Sequence, residues 1–128
     1  MEQLSVERLM STDLVTIESG APAAEAAVRM LETGVNSIVV IDDDGQLAGL
    51  ITATDFVTLV RENDPKDETL VEEFMTRDVV TVGPRDTVEE LAEPTAHGYT
   101  HLPAVDEDGR LIGMVSTTDL TAYVSGKR

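Results

Sequence analysis

Apolar residues along this chain alternate between helical and strand spacing, and they do so in the same order in both halves. In the first half Ala23, Ala26, Ala27, Met30 and Leu31 recur at i, i+3, i+4, i+7 and i+8, the spacing of one helical face. Pro22 fits the first position of that helix and Gly34 its C-terminal stop. The β-branched run 37–41, the acidic turn 42–45 that ends on Gly45, and the run 46–52 then predict strand, tight turn and strand. Phe56, Val57, Leu59 and Val60 predict a second helix. Each half therefore reads β-α-β-β-α, preceded by a short helical turn at 6–10 or 71–75.

The two halves are copies. Val6, Glu7, Met10, Asp13, Val15 and Thr16 return as Val71, Glu72, Met75, Asp78, Val80 and Thr81. Farther on, Gly34, Asp42, Asp44, Gly45, Leu47, Gly49, Thr54 and Asp55 return as Gly98, Asp106, Asp108, Gly109, Leu111, Gly113, Thr118 and Asp119, with the second copy one residue shorter. A fixed internal period identifies a repeat architecture. The expected organisation is repeat 1 at 1–62, a polar linker at 63–69 containing Pro65, and repeat 2 at 70–128. Each repeat is too small to be secure alone, so together they form one globular module. Repeat 2 breaks the pattern once. Asp86 and Glu89 have capping-box spacing, and Val88, Leu91 and Ala92 make an apolar face, but Pro94 interrupts it. The first helix of repeat 2 is expected to be short or kinked.

Composition narrows the function classes. Acidic residues number 25 against nine Lys plus Arg, and the net charge of −16 repels nucleic acid and anionic lipid. An excess spread along the whole chain suits a high-salt surface, where screening is short-ranged, so a salt-adapted organism is expected. Cysteine is absent, which excludes disulfides and thiolate catalysis. Glu2, Glu7 and Arg8 argue against a signal peptide, and the apolar run 38–41 is far short of the roughly 20 residues of a membrane span. A cytoplasmic protein is the expectation.

Several of these elements coincide in one known family. The opening Met75-Thr76-Arg77-Asp78-Val79-Val80-Thr81-Val82, the strand His101-Leu102-Pro103-Ala104-Val105-Asp106, the Asp-Gly hairpins, and the paired segments running from Gly49 to Asp55 and from Gly113 to Asp119 resemble the CBS-domain family, named for cystathionine β-synthase. The resemblance runs from about Val6 to Leu120. It implies an α/β (α+β) fold of tandem repeats packed sheet to sheet around a pseudo-twofold axis, with related clefts between them and usually a homodimer. It further implies a regulatory sensor that binds AMP, ADP, ATP or S-adenosylmethionine in an inter-repeat cleft and signals by conformational change to an effector protein. No catalytic residue, resident cofactor or metal is implied.

The residues that would carry such chemistry begin with Thr52-x-x-Asp55 and Ser116-x-x-Asp119. A hydroxyl three residues before an acid, at a strand-to-helix junction, is first a helix cap. A rigid carboxylate in that first turn can also accept both hydroxyls of a ribose, the role the resemblance assigns to the acid. An adenine slot would draw on Val15, Thr16 and Ile38 in repeat 1 and on Val79, Val80 and Leu102 in repeat 2, although each alone reads as strand core. Phosphates need cations or helix N-termini. Arg77 and His101 stand where the family often supplies phosphate contacts, against Thr12 and Ser37 at the matching positions of repeat 1, so unequal clefts are expected.

Other chemistries fit poorly. His97 and His101 have i, i+4 spacing, but Gly98 and the following strand spoil the helical geometry that zinc would need, and no Cys adds a ligand. The acidic loops at 42–45 and 106–109 resemble calcium loops, yet Ala53 occupies the position of the bidentate Glu. Nothing resembles a nucleophile elbow, a phosphate-cradling glycine loop or a His-anchored triad. The alternative class is a ligand-free dimerisation or adaptor module. An exposed alanine face at 23–27 would suit close helix packing in a dimer.

Overall fold

The computed structural model describes residues 4–62, 69–92, 94 and 98–125. Most of the expected linker and His97 lie outside the described residues. The chain divides into two compact units, one continuous, Val15–Val79, and one composite, made of Met1–Leu14 and Val80–Arg128. The compact units are thus not the same residue sets as the sequence repeats: each holds the body of one repeat and the N-terminal segment of the other.

The continuous unit is built on a three-stranded sheet, β1 (Thr16–Glu18), β2 (Ser37–Ile41) and β3 (Leu47–Thr52), in the order β1-β2-β3. β1 and β2 are parallel, which requires a crossover, and α2 (Ala23–Thr33) supplies it. The short helix α1 (Val6–Leu9) precedes β1 in the chain but belongs to the composite unit. Gly34 ends α2 in the left-handed region at φ 72°, its N–H donating to the Met30 carbonyl at 2.9 Å. Pro22 lies one position earlier than expected, at the cap rather than inside the helix, because its ψ of 152° is extended. β2 and β3 form the predicted hairpin, and the Asp42 carboxylate closes its turn by accepting N–H groups from Asp44 and Gln46 at 2.9 and 3.0 Å. Asp106 does the same with Asp108 and Arg110 in the other copy. Hairpin turns therefore account for both acidic loops.

α3 (Ala53–Glu62) follows β3 directly, and α4 (Val71–Phe74) completes this unit. The core joins Ile17, Ala26, Met30, Ile38, Val40 and Ile51 to Val71 and Met75 of the α4 segment. Phe56 meets Phe74 edge to face at 5.2 Å. On α2 the helical face divides. Ala23, Ala26 and Met30 are buried, whereas Leu31 is 83% exposed. The expected exposed alanine face is corrected accordingly, since Ala23 and Ala26 are inside; the exposed apolar side chains here are Val28, Leu31, Val57 and Val60.

The composite unit contains α1, a 3-10 turn at Val88–Leu91, the antiparallel pair β4 (His101–Val105) and β5 (Leu111–Ser116), and α5 (Thr117–Ser125). The first strand expected for repeat 2 shrinks to a single parallel bridge between Val82 and Ala104. Where the first helix of repeat 2 is expected, the described residues Val88–Leu91 form a 3-10 turn, of which only Leu91 is buried. The cap also differs from expectation by one residue: Glu90 accepts the Thr87 N–H and hydroxyl at 3.3 and 3.1 Å, while Asp86 accepts the Gly83 N–H at 2.8 Å. Asp86 is thereby committed to the preceding loop and Thr87 begins the turn. Val6 and Leu9 of α1 share a core with Val82, Leu91, Leu102, Ala104 and Val115.

The two N-terminal segments dock by the same scheme. A four-residue helix leaves most of its N–H groups without internal partners. In α4, Val71 and Glu72 donate to the carbonyls of Ala21 and Ser19; in α1, Val6 and Glu7 donate to those of Asp86 and Pro84. At the far end Thr76 exchanges two backbone hydrogen bonds with Leu50, and Ser11 exchanges two with Met114. These contacts bring Met75 over Gly49 and Met10 over Gly113. A Cβ on Gly49 would lie 2.7 Å from the Thr76 carbonyl oxygen and 2.8 Å from the Met75 sulfur, and one on Gly113 would collide with the Met10 sulfur. The repeated Met and the repeated Gly are two halves of one contact.

Candidate functional site

The strand-to-helix junctions place the two acids as the sequence predicts. In the continuous unit, the Thr52 N–H donates to Asp55 Oδ2 at 2.9 Å and the Thr52 hydroxyl lies 3.4 Å from the same oxygen. In the composite unit, the Ser116 N–H and hydroxyl donate to Asp119 Oδ2 at 2.8 and 3.1 Å, and Ser116 Oγ accepts the Asp119 N–H at 3.3 Å. That reciprocal pattern is a capping box with an aspartate in the third position. Both carboxylates are half-buried in the first turn of their helices, where the helix dipole favours negative charge.

Thr76 is the residue that sequence reasoning missed. Its hydroxyl lies 3.0 Å from Asp55 Oδ1 and 3.2 Å from Oδ2, across a separation of 21 residues. The available signal was the hydroxyl conserved between copies, Ser11 in one and Thr76 in the other, beside the repeated Met. What could not be seen was that the arm carrying Thr76 packs on the body carrying Asp55.

The remaining candidates separate by unit. Arg77 follows Thr76 in the continuous unit, and its guanidinium donates to the Glu72 carbonyl at 2.7 Å. His101 begins β4 in the composite unit, directly opposite Ser116 in register, with Nδ1 3.1 Å from the Thr100 hydroxyl. Residues opposite each other on antiparallel strands project to the same face, so His101 shares a face with the Ser116 side chain. Ser37 stands opposite Thr52 in the same way. Each unit thus carries one of the two basic candidates; Thr12 belongs to the composite unit and Ser37 to the continuous one.

Among the apolar candidates, Val15, Thr16, Val79 and Val80 are half-buried and keep accessible surface. Ile38 and Leu102 are 0% and 1% exposed and sit wholly within the two cores. Thr16 pairs with Val39, and its carbonyl accepts a hydrogen bond from Arg29 at 2.5 Å. Arg29, held also by Glu25 at 3.1 Å, anchors α2 to β1.

Depressions also lie elsewhere among the described residues. One in the composite unit, of about 650 Å³, is lined by Thr81, Pro84, Arg85, Asp86, Asp106 and Asp108 among others. Another lies between α2 and α3, about 420 Å³, and is lined by Ala27, Met30, Leu31, Val35, Ala53 and Phe56 with Asn36. No cluster of His, Cys, Asp or Glu suited to a metal ion occurs among the described residues. Nor is any described helix long and apolar enough to cross a membrane.

A duplicated strand-helix module, with a capped acid at the matching junction of each copy, defines a tandem-repeat protein. The CBS domain model matches residues 6–62 and again 71–126, and the chain belongs to the CBS domain family as a tandem pair. It is similar to the CBS domain pair of protein MJ0100, solved in complex with 5′-methylthioadenosine and S-adenosyl-L-methionine, with 26% identity and a TM-score of 0.85, covering 99% of this chain and 100% of that one. It is also similar to the cytosolic domain of the Mg2+ channel MgtE in complex with ATP, with 28% identity and a TM-score of 0.81, covering 95% of this chain and 49% of that one. A homoserine O-acetyltransferase of Methanohalobium evestigatum is 32% identical over 123 residues, 93% of this chain. The chain spans only about a quarter, 24%, of that relative's length.

Proposed function

We propose that this CBS pair is a regulatory module that binds an adenosyl ligand, AMP, ADP, ATP or S-adenosylmethionine, through Asp55 or Asp119, and passes its occupancy to an effector protein. The observation that carries this reading is the Asp55 carboxylate. It is half-exposed, fixed by donors from two separate elements, and matched by Asp119 at the equivalent junction. An acceptor held in one orientation suits the two adjacent hydroxyls of a ribose, because little ordering remains to be done on binding. Thr52 and Ser116 orient the acids, Val15, Thr16, Val79 and Val80 offer apolar surface for a base, Ile38 and Leu102 support it from the cores, and Arg77 and His101 supply cations for phosphate. Adenosyl compounds bound to the similar CBS domain pair of MJ0100 and to the similar MgtE cytosolic domain support the same ligand class.

On this reading the protein is not itself an enzyme and needs no resident cofactor or metal. It acts in the cytoplasm, with its acidic surface serving solubility at high salt. Signalling requires a ligand with different affinities for two conformations, since equal affinity shifts nothing. The test is a thermal-shift titration with the adenosyl panel, Asp55→Ala and Asp119→Ala run beside the parent. A ligand at a hundred times its dissociation constant stabilises by about 2.7 kcal/mol, several degrees for a domain this size. A shift lost in one Asp variant supports the reading and identifies the working acid; no shift for any compound with a folded protein refutes it.

A second reading, a homodimerising adaptor, is favoured by one observation. Val28, Leu31, Val57 and Val60 are all more than half exposed on α2 and α3, a larger apolar display than scattered surface residues require. Light scattering of Leu31→Glu and Val57→Glu tests it: a dimeric parent and monomeric variants support a homodimer through these helices, and an unchanged mass places the interface elsewhere.

A further inference from the structure

We propose that Thr76 is a positioning residue that makes Asp55 selective for ligands with two adjacent free hydroxyls; this rests on the adenosyl-binding reading above. Thr76 reaches Asp55 from a different element than Thr52 does. The Thr52 N–H, at the end of β3, holds Oδ2 at 2.9 Å. The Thr76 hydroxyl, on the segment after α4, sits almost equidistant from the two oxygens at 3.0 and 3.2 Å. A carboxylate on a single donor can still turn about its Cβ–Cγ bond, whose torsional preference is broad. Donors from two directions remove that freedom.

The donor is itself fixed. The Thr76 backbone is held by its two hydrogen bonds with Leu50, at 3.0 and 2.8 Å, and a β-branched side chain has few χ1 options. Thr52 already occupies Oδ2 and the single Thr76 proton is shared between the two oxygens, which leaves about two of the carboxylate's roughly four acceptor sites unused. Thr76 is exposed and Asp55 half-buried, so those sites remain open to a ligand. A carboxylate held this way presents both oxygens together, which rewards a ligand that offers two hydroxyls and gains little from one that offers a single hydroxyl. Losing one of two charge-assisted hydrogen bonds corresponds to about tenfold or more in affinity.

Isothermal titration of the full chain carrying Asp119→Ala, with AMP and 2′-deoxy-AMP as probes, tests the proposal. With Thr76 present, AMP is expected to bind about tenfold or more tightly than its deoxy counterpart. Thr76→Val should bring the two within about threefold, by weakening AMP and sparing 2′-deoxy-AMP, while Thr76→Ser restores the difference. A purely structural role would weaken both probes together. Thr76→Ala, which deletes the hydroxyl without adding an exposed methyl, gives the same readout if the valine variant folds poorly. Undiminished discrimination in folded Thr76→Val or Thr76→Ala, or its equal loss in Thr76→Ser, overturns the proposal and leaves the adenosyl reading standing. Failure of the folded Asp119→Ala chain to bind AMP overturns the proposal, and failure of the parent chain to bind any of the adenosyl compounds overturns both.

Discussion

The continuous and composite units begin from the same pattern and reach different degrees of regularity. In the continuous unit an 11-residue helix links two parallel strands, and burial on that helix is shared by Ala23, Ala26 and Met30. In the composite unit the described residues of the matching stretch show one bridge and a 3-10 turn at Val88–Leu91, with Leu91 as the buried residue of that turn. What both retain is the hairpin, the capped acid and the docked N-terminal segment. The difference teaches that the first strand can shrink to a single bridge while the hairpin, the capped acid and the docked arm are kept.

The comparison is broken most directly by cutting the chain. A fragment of residues 15–79 retains every contact described for the continuous unit and is expected to melt cooperatively by circular dichroism. A fragment of 1–62 lacks Val71 and Met75 and is expected to show no cooperative transition. Equal melting of the two would mean that the arm contributes nothing to the body it covers. Next in size, Leu91→Ala should cost about 2–5 kcal/mol in urea denaturation, because Leu91 is the one fully buried side chain of its turn and Val88 beside it is only partly buried. Met30→Ala should fall near the lower end of that range, since Ala23 and Ala26 keep α2 seated.

The glycines sharpen the comparison further. At Gly49 a new methyl meets a backbone carbonyl, which cannot easily move, whereas at Gly113 it meets mainly the end of a methionine. Overpacking costs about 1–3 kcal/mol, so Gly49→Ala is expected at the upper end and Gly113→Ala at the lower. The reverse order would show that the Met10 arm is the more tightly seated. Smallest is the pair Glu90→Ala and Glu25→Ala. Glu90 accepts two hydrogen bonds from Thr87 and its loss should cost about 1 kcal/mol, while Glu25, in an exposed pair with Arg29, should change stability by about 0.5 kcal/mol or less.

Much of this architecture is legible in local pattern. Gly34, Gly45 and Gly109 stop a helix and turn two hairpins at positive φ, where a side chain would be strained. Thr52 and Ser116 announce helix starts, and the acids three residues on fall where expected. What local pattern does not carry is partnership. Val6 and Leu9 require a core, but nothing in their spacing says which sheet provides it. For the same reason Thr76 could not be joined to Asp55, and Leu31 could not be told from Met30, since both satisfy the helical period while only one finds a neighbour. The one-residue displacement of the cap from Asp86 to Thr87 arises because two acids and two hydroxyl-bearing or acidic starts overlap there, and the Gly83 loop takes the first.

The placement of the arms also bears on ancestry. If a lone repeat once existed, its arm and its body would have met in two different molecules, each copy lending its N-terminus to the other. Joining the copies end to end preserves that loan: arm one serves body two and arm two serves body one. A protease cut between Glu62 and Thr69 would therefore separate the covalent halves without returning either arm to its own body, and the pieces would remain interlocked until one of them unfolds.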